Sequence, residues 1–529
     1  ANSGAAGDDF VTTPNTTYVT RRYFRNGGTF TTKGEAFYLQ DSWSLFENRL
    51  ALNLGVRNDK FTNKNGEGQT FYKSDDLWAP RLGFSFDPIG DGSTKVYGSF
   101  SRYYLPVATN TNVRLAGAEL DYTTYNVLTG VNANQTPIIG APIQIADGSP
   151  CPVLAIESDR AGGANCKFNS DGTTPPFASL VSSNLQAQSR DEYILGFERR
   201  LGGRIKFGVF YTERKLNQSL EDGYIDAGVL DYCRTNNIAL TNAAGTGCGD
   251  IFSGAHQYAL LNPGRDATVV LDATNAEGVA NTELNGKSVT LTAAGLGLPQ
   301  AEATYKSMTF TFEREFDGKW SLSANYTLAS LVGNIEGGVR SDNGQADSGL
   351  TTAFDYPALV NGAYGYLPGH RRHNIKIFGS YQLFDFLNVG GNVQVQSPRK
   401  FGCIGTVPVS VDGGNAAAYG AAGYYCNVDG SGNVITTGTS AANRQLTPRG
   451  SVLQTDWLYN VNLDIALKIP TDMFDGTVRV SVFNVLNQKQ VQDLQEVGTA
   501  QNGVPSALYG QPLSYQAPRS VRLQFGVNF

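Results

Sequence analysis

Residues 457–469 read Trp457-Leu458-Tyr459-Asn460-Val461-Asn462-Leu463-Asp464-Ile465-Ala466-Leu467-Lys468-Ile469. Odd positions are aromatic or aliphatic, and even positions are polar or small except at Leu458, so one face of an extended strand is apolar and the other is not. The chain ends on the same pattern: Val521, Leu523, Phe525, Val527 and Phe529 alternate without error with Arg522, Gln524, Gly526 and Asn528. A strand of this length, rising about 3.3 Å per residue and tilted about 45°, crosses the hydrocarbon core of a bilayer, whereas soluble strands are most often about five or six residues long. The alternation itself makes each strand only half apolar, as a membrane β-barrel requires.

Composition agrees. The 529 residues include 61 Gly, 28 Phe and 26 Tyr but only 2 Met and 3 His, and 17% are charged, below the roughly 25% of an ordinary soluble domain. Apolar runs long enough for a membrane helix are absent from the sequence. A net charge of -6 without a basic run argues against nucleic acid as a partner. No signal peptide is visible at the start, so one has been removed or lies outside this chain.

Working outward, similar segments begin near residues 35, 48, 78, 93, 188, 204, 303, 319, 369, 386, 454, 476 and 517. Tight connections at Glu47-Asn48, Pro88 to Gly92, Gly202-Gly203, Asp317-Gly318, Asp385 and Asp472 to Gly476 carry hairpin-turn residues. They alternate with gaps of roughly 15, 80, 85, 35, 50 and 30 residues. Short turns at one end and long loops at the other are the plan of an outer-membrane barrel, with turns periplasmic and loops extracellular. The expected fold is therefore all-β: a transmembrane antiparallel β-barrel. Trp43 and Trp320 lie beside tight turns, and Trp78 and Trp457 where strands meet long gaps, so all four are expected at the membrane interfaces.

Thirteen strands cannot close an antiparallel barrel without a parallel seam. Either Thr17 to Phe24 supplies a fourteenth, as in a passive porin-like channel, or the chain is the C-terminal part of a larger barrel. Arg21-Arg22 is an awkward pair for a lipid-facing strand, and Ala1-Asn2-Ser3-Gly4 reads as mid-loop, so the second is expected. Residues 1–34 then form an extracellular loop segment, residues 35–529 the C-terminal barrel portion, and the C-terminus is periplasmic.

Cys151/Cys166, Cys233/Cys248 and Cys403/Cys426 fall pairwise within single long gaps. Six cysteines allow fifteen connectivities, and loop topology favours the sequential one. Each closure stabilises its loop by about 3 kcal/mol in the chain-entropy model and implies an oxidising export route. A zinc site would need convergent Cys/His spacing such as C-x₂-C, which is absent.

The residues also resemble a known family. Phe37-Tyr38-Leu39-Gln40-Asp41-Ser42-Trp43, followed by Leu50-Ala51-Leu52-Asn53-Leu54-Gly55-Val56-Arg57-Asn58-Asp59, resembles a strand pair of TonB-dependent receptors. Ala79-Pro80-Arg81-Leu82-Gly83-Phe84 is similar to the next hairpin, and Val482-Phe483-Asn484-Val485-Leu486-Asn487 to the penultimate strand. Lys33 to Phe37, Gly369 to Asn374 and Gln516 to Ser520 resemble the Oar-like branch. The resemblance implies a barrel of about 22 strands, a plug domain, a TonB box and an N-terminal β-domain, the last three absent from these residues. It also implies a Gram-negative outer membrane, a TonB-type energy transducer acting through the plug, and lipopolysaccharide as a neighbour. Phe525, Val527 and Phe529 correspond to the family's barrel-assembly signal, implying the barrel-assembly machinery as a partner.

Enzymatic signatures are not found: neither a nucleophile–base motif, a P-loop nor H-E-x-x-H occurs. His370 and His373 flank Arg371-Arg372 at a strand end, at a spacing that points them to opposite faces of a strand, which favours rim hydrogen bonding over chelation. Asn427 to Asn433 is oxygen-rich but lacks the bidentate Glu of an EF-hand, so a tight hairpin is preferred to calcium binding and no cofactor is expected. Tyr122 and Tyr125, with Tyr419, Tyr424 and Tyr425, lie in Tyr/Asn/Gly/Thr-rich loops and are the candidate ligand contacts, tyrosine giving large contact area at low entropy cost. The expected function is ligand capture by disulphide-braced loops of a TonB-dependent receptor, with a structural or adhesive barrel or a passive channel as alternatives.

Overall fold

The computed structural model describes residues 2–3, 17–144, 149–161, 165–174, 176–202, 204–254, 256–275, 278–345, 348–439, 443–470, 475–500 and 503–528. Phe529, Gly203 and the turn residues Asp472, Met473 and Phe474 lie outside them. Thirteen strands follow one another across a single antiparallel sheet: β1 (Thr31–Leu45), β2 (Leu50–Lys64), β3 (Thr70–Phe86), β4 (Thr94–Leu105), β5 (Gln188–Leu201), β6 (Ile205–Gln218), β7 (Ala303–Arg314), β8 (Trp320–Gly333), β9 (His373–Phe384), β10 (Leu387–Gln396), β11 (Leu458–Pro470), β12 (Asp475–Phe483) and β13 (Ser520–Asn528). The expected strands are all present, in order. Gly365–Tyr366 adds a short pairing to β8.

Register explains why the sheet faces differ. Val96, Phe197, Val209, Phe310, Tyr326, Ile375, Val395 and Tyr459 pair in succession from β4 to β11. Leu467, Val478 and Phe525 continue such rows to β13. These partners share a face, and Phe197, Phe310, Tyr459 and Phe525 on it are exposed. The opposite face carries Thr309, Thr327, Asn374 and Gln396 in one row and Lys376, Gln394 and Asn460 in the next, with Thr309 and Thr327 hydroxyls 3.0 Å apart. Also polar-facing, Asp464 accepts from the Ser481 hydroxyl at 2.6 Å and lies 3.4 Å from the Arg479 guanidinium. A large apolar face left open on every strand is what a bilayer would cover.

The edge strands are paired on one side only along this path, and β1 is exposed at every position. Turns are closed by side chains. Asp87 accepts from the backbone N–H groups of Ile89, Gly90 and Gly92 at 3.1, 2.9 and 2.7 Å, and these bonds hold its carboxyl below the usual range. Asp317 accepts from Lys319 and Trp320 N–H at 2.9 and 3.0 Å. The β1–β2 turn instead places Phe46, Glu47 and Asn48 at φ of 53°, 55° and 67° without a glycine.

One gap differs from expectation. β3 starts at Thr70 rather than near 78, so the connection expected at about 15 residues is the short turn 65–69. Asp76, at φ 56°, breaks the alternation within β3, which hides its first half from a periodicity reading.

The chain forms two compact units, one of Ala1–Gly34, Phe61–Lys73 and Val107–Val181 and the other of Glu35–Lys60, Ser74–Pro106 and Ser182–Phe529. In the first, Thr17–Arg25 is a strand, but it pairs with Leu120–Val131 in a separate sheet and contributes nothing to the large one. Its arginines explain this: Arg22 grips Asp121 through two bonds of 2.7 Å, and Arg21 bonds Asp159. Charges paired this way suit a polar loop sheet, not a lipid-facing strand, so the fourteen-strand arrangement is overturned. The Cys151–Cys166 disulfide closes this sheet around buried Leu120, Tyr122 and Ala155.

Candidate functional site

In the second unit, the long connections 219–302, 334–372, 397–457 and 484–519 leave the same end of the sheet, because consecutive strands are antiparallel and joined by short turns at the other end. They are not separate excursions. The hairpins Glu221–Tyr224/Tyr258–Leu261 and Ala267–Val270/Ser288–Leu291 and the helix Asp226–Thr235 form within the first of them. Their apolar faces share one core: Val229, Phe252, Leu261, Val269 and Leu291 meet Phe354 and Val360 of the second loop and Ile404 and Tyr424 of the third, with Val497 of the fourth against them. Each such side chain stabilises the assembly by about 1.5–3 kcal/mol. Cys233–Cys248 pins the helix inside this core, and Cys403–Cys426 closes the third loop beside Tyr509 of the fourth. All three disulfides join the sequential pairs.

Buried polar groups stitch the loops together. Glu221 accepts from the Thr351 N–H at 2.9 Å and hydroxyl at 3.1 Å, and burial raises its carboxyl well above the usual value. Arg340 donates to Asp342 at 2.8 Å, the Tyr424 hydroxyl donates to the same carboxylate at 2.6 Å, and Arg449 lies 3.4 Å from it. Burial alone would raise Asp342, but the two guanidiniums outweigh it and hold the carboxyl at about 2. Both guanidiniums also stack on the Tyr424 ring, 5.4 and 5.1 Å from its centroid. Glu496 accepts from the Gly402 N–H at 3.0 Å and faces Arg399 at 3.6 Å, and burial lifts it to about 7.

The tyrosines expected to contact ligand divide into two groups. Tyr122, Tyr424 and Tyr425 are buried, and their hydroxyls are committed internally: Tyr122 to Asp159 at 2.8 Å, Tyr424 to Asp342, and Tyr425 accepting from Asn361 at 3.2 Å. Tyr125 is half-buried against Tyr18, with ring centroids 6.0 Å apart. Tyr419 is half-buried and donates to Asp355 at 2.6 Å. Around it gather Tyr224, Tyr258 and Tyr356, which sequence reading missed; Tyr224 lies 3.6, 4.8 and 5.5 Å by ring centroid from Tyr258, Tyr356 and Tyr419. With Tyr419 they come from three loops, so no local pattern announces them.

Trp320 pairs with Tyr381 on the apolar face, and Trp43, Trp78 and Trp457 alternate in sequence with apolar residues of their strands; Trp320 begins β8 and Trp457 precedes β11. Trp78 falls within β3 but level with the end of β4, since the Tyr104 hydroxyl donates to its carbonyl at 3.3 Å. Phe525 and Val527 project from the apolar face of β13, 69% and 50% exposed. His373 accepts or donates at 2.9 Å with the Tyr326 hydroxyl and stacks between Tyr326 and Trp457. His370 is buried, its Nδ1 accepting from the Leu331 N–H at 3.2 Å; burial and the neighbouring cations Arg372, Lys400 and Arg371 lower it to about 4. Asp429 accepts from the Ser431 and Asn433 N–H groups at 2.9 Å each, the geometry of a tight turn. Among the described residues no group of three or more His, Cys, Asp or Glu is placed to hold a metal.

A sheet of long strands with an open apolar face and elaborated loops at one end defines an outer-membrane β-barrel, and sequence comparison agrees. The family model "Outer membrane beta barrel domain" matches residues 60–394, and the chain belongs to that family. The chain is 26% identical over 534 residues to the TonB-dependent transporter Oar of Myxococcus xanthus, covering 93% of this chain and 42% of that protein. Among solved structures it is similar to the siderophore receptor PiuA from Acinetobacter baumannii, at 10% identity and TM-score 0.44 over 94% of this chain and 43% of that one. The ferripyoverdine receptor of Pseudomonas aeruginosa gives 12% identity and TM-score 0.42 over 94% and 38%. The chain thus spans less than half the length of these relatives, which are transporters and receptors rather than enzymes.

Proposed function

We propose that the chain is the C-terminal barrel portion of an Oar-like TonB-dependent outer-membrane receptor, whose fused loops capture a ligand at the cell surface. The observation that carries this reading is the pairing, among the described residues, of an ordered thirteen-strand sheet open at both edges with a loop assembly that has its own core. Unpaired edges call for further strands, since a barrel abolishes edges altogether, and the 42% coverage of the Myxococcus transporter leaves room for them. In this reading the loops are extracellular, the turns and C-terminus periplasmic, and the tryptophans sit at the two interfaces, those at the loop end beside lipopolysaccharide. Phe525 and Val527, with Phe529, serve recognition by the barrel-assembly machinery. Energy arrives from a TonB-type transducer through a plug encoded outside this chain.

The test is binding of the purified C-terminal domain of TonB to the full-length protein in detergent micelles, followed by interferometry. Saturable binding that disappears when the segment preceding the barrel is removed supports the reading. Absence of binding, together with steady single-channel conductance in planar bilayers, would replace it with a passive channel.

A further inference from the structure

The tyrosine cluster contains a carboxylate that nothing among the described residues completes. Asp355 is 3% exposed. Its Oδ2 accepts from the Tyr419 hydroxyl at 2.6 Å, while Oδ1 has no hydrogen-bond partner among the described residues. The Tyr258 hydroxyl donates in turn to that of Tyr419 at 3.2 Å, so the phenols form a chain ending on the carboxylate. The Tyr224 ring touches those of Tyr258, Tyr356 and Tyr419, and Tyr356 touches Tyr419. Tyr258, Tyr356 and Tyr419 are half-buried, so the cluster reaches from Asp355 to the surface.

The charge around this cluster is negative. Asp226 and Asp412 lie close enough to Tyr356 to act on its phenol, as does Asp355 itself. The cation that acts on Asp355 is Arg340, and its guanidinium is already engaged by Asp342 at 2.8 Å. A lone buried acceptor is costly unless paired, and tyrosine faces attract cations through the negative face of the ring.

We propose that this cluster is a recognition site for an organic cation, taking an alkylguanidinium or alkylammonium group against Asp355 Oδ1 and the faces of the surrounding tyrosines. The site names the chemistry of the ligand captured by the loops and so rests on that reading. Because its test reads binding and not uptake, failure here leaves TonB coupling untouched.

Ionisation gives the proposal a pH signature. The groups facing Asp355 are the four phenols, the Glu221 carboxyl and the Arg340 guanidinium. Burial lifts Asp355 to about 7, with the Tyr419 bond and Arg340 opposing the rise. The cation needs the ionised carboxylate, so it binds more tightly above that pH and releases acid on binding near it.

The experiment is isothermal titration of the full-length protein in micelles with n-butylguanidinium and with its neutral isostere n-butylurea, at pH 8 and pH 5.5. Expected are saturable binding of the guanidinium at pH 8, weakening of at least about tenfold at pH 5.5, and no saturation by the urea. Asp355→Asn keeps the shape of the protonated side chain and should weaken binding at least about tenfold at pH 8. Failure of the wild type to bind the guanidinium, binding of equal strength by the urea or by the variant, or binding that ignores pH would each overturn the proposal. The pH comparison uses the wild type alone, so it stands even if the variant does not fold.

Discussion

Asp342→Asn is the most informative single change in the loop assembly. The side chain keeps its size but loses the charge that serves Arg340 at 2.8 Å and Arg449 at 3.4 Å, and it weakens as an acceptor for the Tyr424 hydroxyl. Both arginines are buried, at 1% and 4% exposure, so neither can turn to water for compensation. Removing one member of a buried ionic set in this way costs about 3–5 kcal/mol, chiefly by leaving the opposite charge unpaired. Because the set joins loops 334–372 and 397–457, the loss should appear as local opening rather than global unfolding. The assay is amide hydrogen exchange in micelles. Reporter amides are Arg340 N–H, bonded to Gln345 O at 3.0 Å, Thr447 N–H, bonded to Tyr424 O at 2.8 Å, and Arg449 N–H, bonded to Gly362 O at 2.8 Å. They should exchange roughly 150- to 5,000-fold faster if opening limits exchange, while amides of β8 and β9 stay unchanged. Acceleration below about threefold at all three would refute the idea that this carboxylate locks the loops together.

Further outcomes follow from the same geometry. Reducing Cys233–Cys248, which closes a separation of 15 residues, should cost loop 219–302 about 3 kcal/mol and expose it to trypsin while the strands stay protected; an unchanged digestion pattern would count against the pinned helix. Asp226, Asp355 and Glu496 titrate in the folded protein at about 6, 7 and 7, above the roughly 4 of an unfolded chain. The folded state therefore binds extra protons, and the stability these three groups lend the loops is greatest below about pH 4, falls as pH rises to about 7 and then levels off, whereas Asp342, held at about 2, lends its own in full only above about pH 4. Loop-amide exchange should thus be slower at pH 5 than at pH 7.5 after correction for intrinsic rates. Phe310→Arg on the apolar face should destabilise the membrane-inserted protein by about 2–4 kcal/mol in urea refolding into vesicles, whereas Gln394→Arg on the polar face near the same level should change it little.

Much of the sheet was legible because a barrel strand writes both faces into the local sequence: Val521 to Asn528 and Tyr459 to Ile469 alternate in the sequence and are strands in the structure. The early start of β3 was not legible, since Phe71 and Tyr72 are adjacent and both buried while Asp75-Asp76 mimics a turn. The disulfides could be read because each pair closes within one loop. The loop core could not: Phe354, Leu261 and Val269 meet across chain separations that no periodicity encodes. For the same reason composition did not distinguish Tyr424, packed between two guanidiniums, from Tyr419, which reaches the surface. Tyr224, Tyr258 and Tyr419 stand far from Asp355-Tyr356 in sequence, and only folding gathers them there.

In the proposed reading these thirteen strands are part of a larger receptor barrel. Intact mass and peptide mapping of the protein extracted from its native outer membrane test it most directly. The expected result is a single polypeptide well above the 56.8 kDa of this chain, with peptides upstream of Ala1 in the same molecule. A mature protein of 56.8 kDa beginning at Ala1 would contradict it.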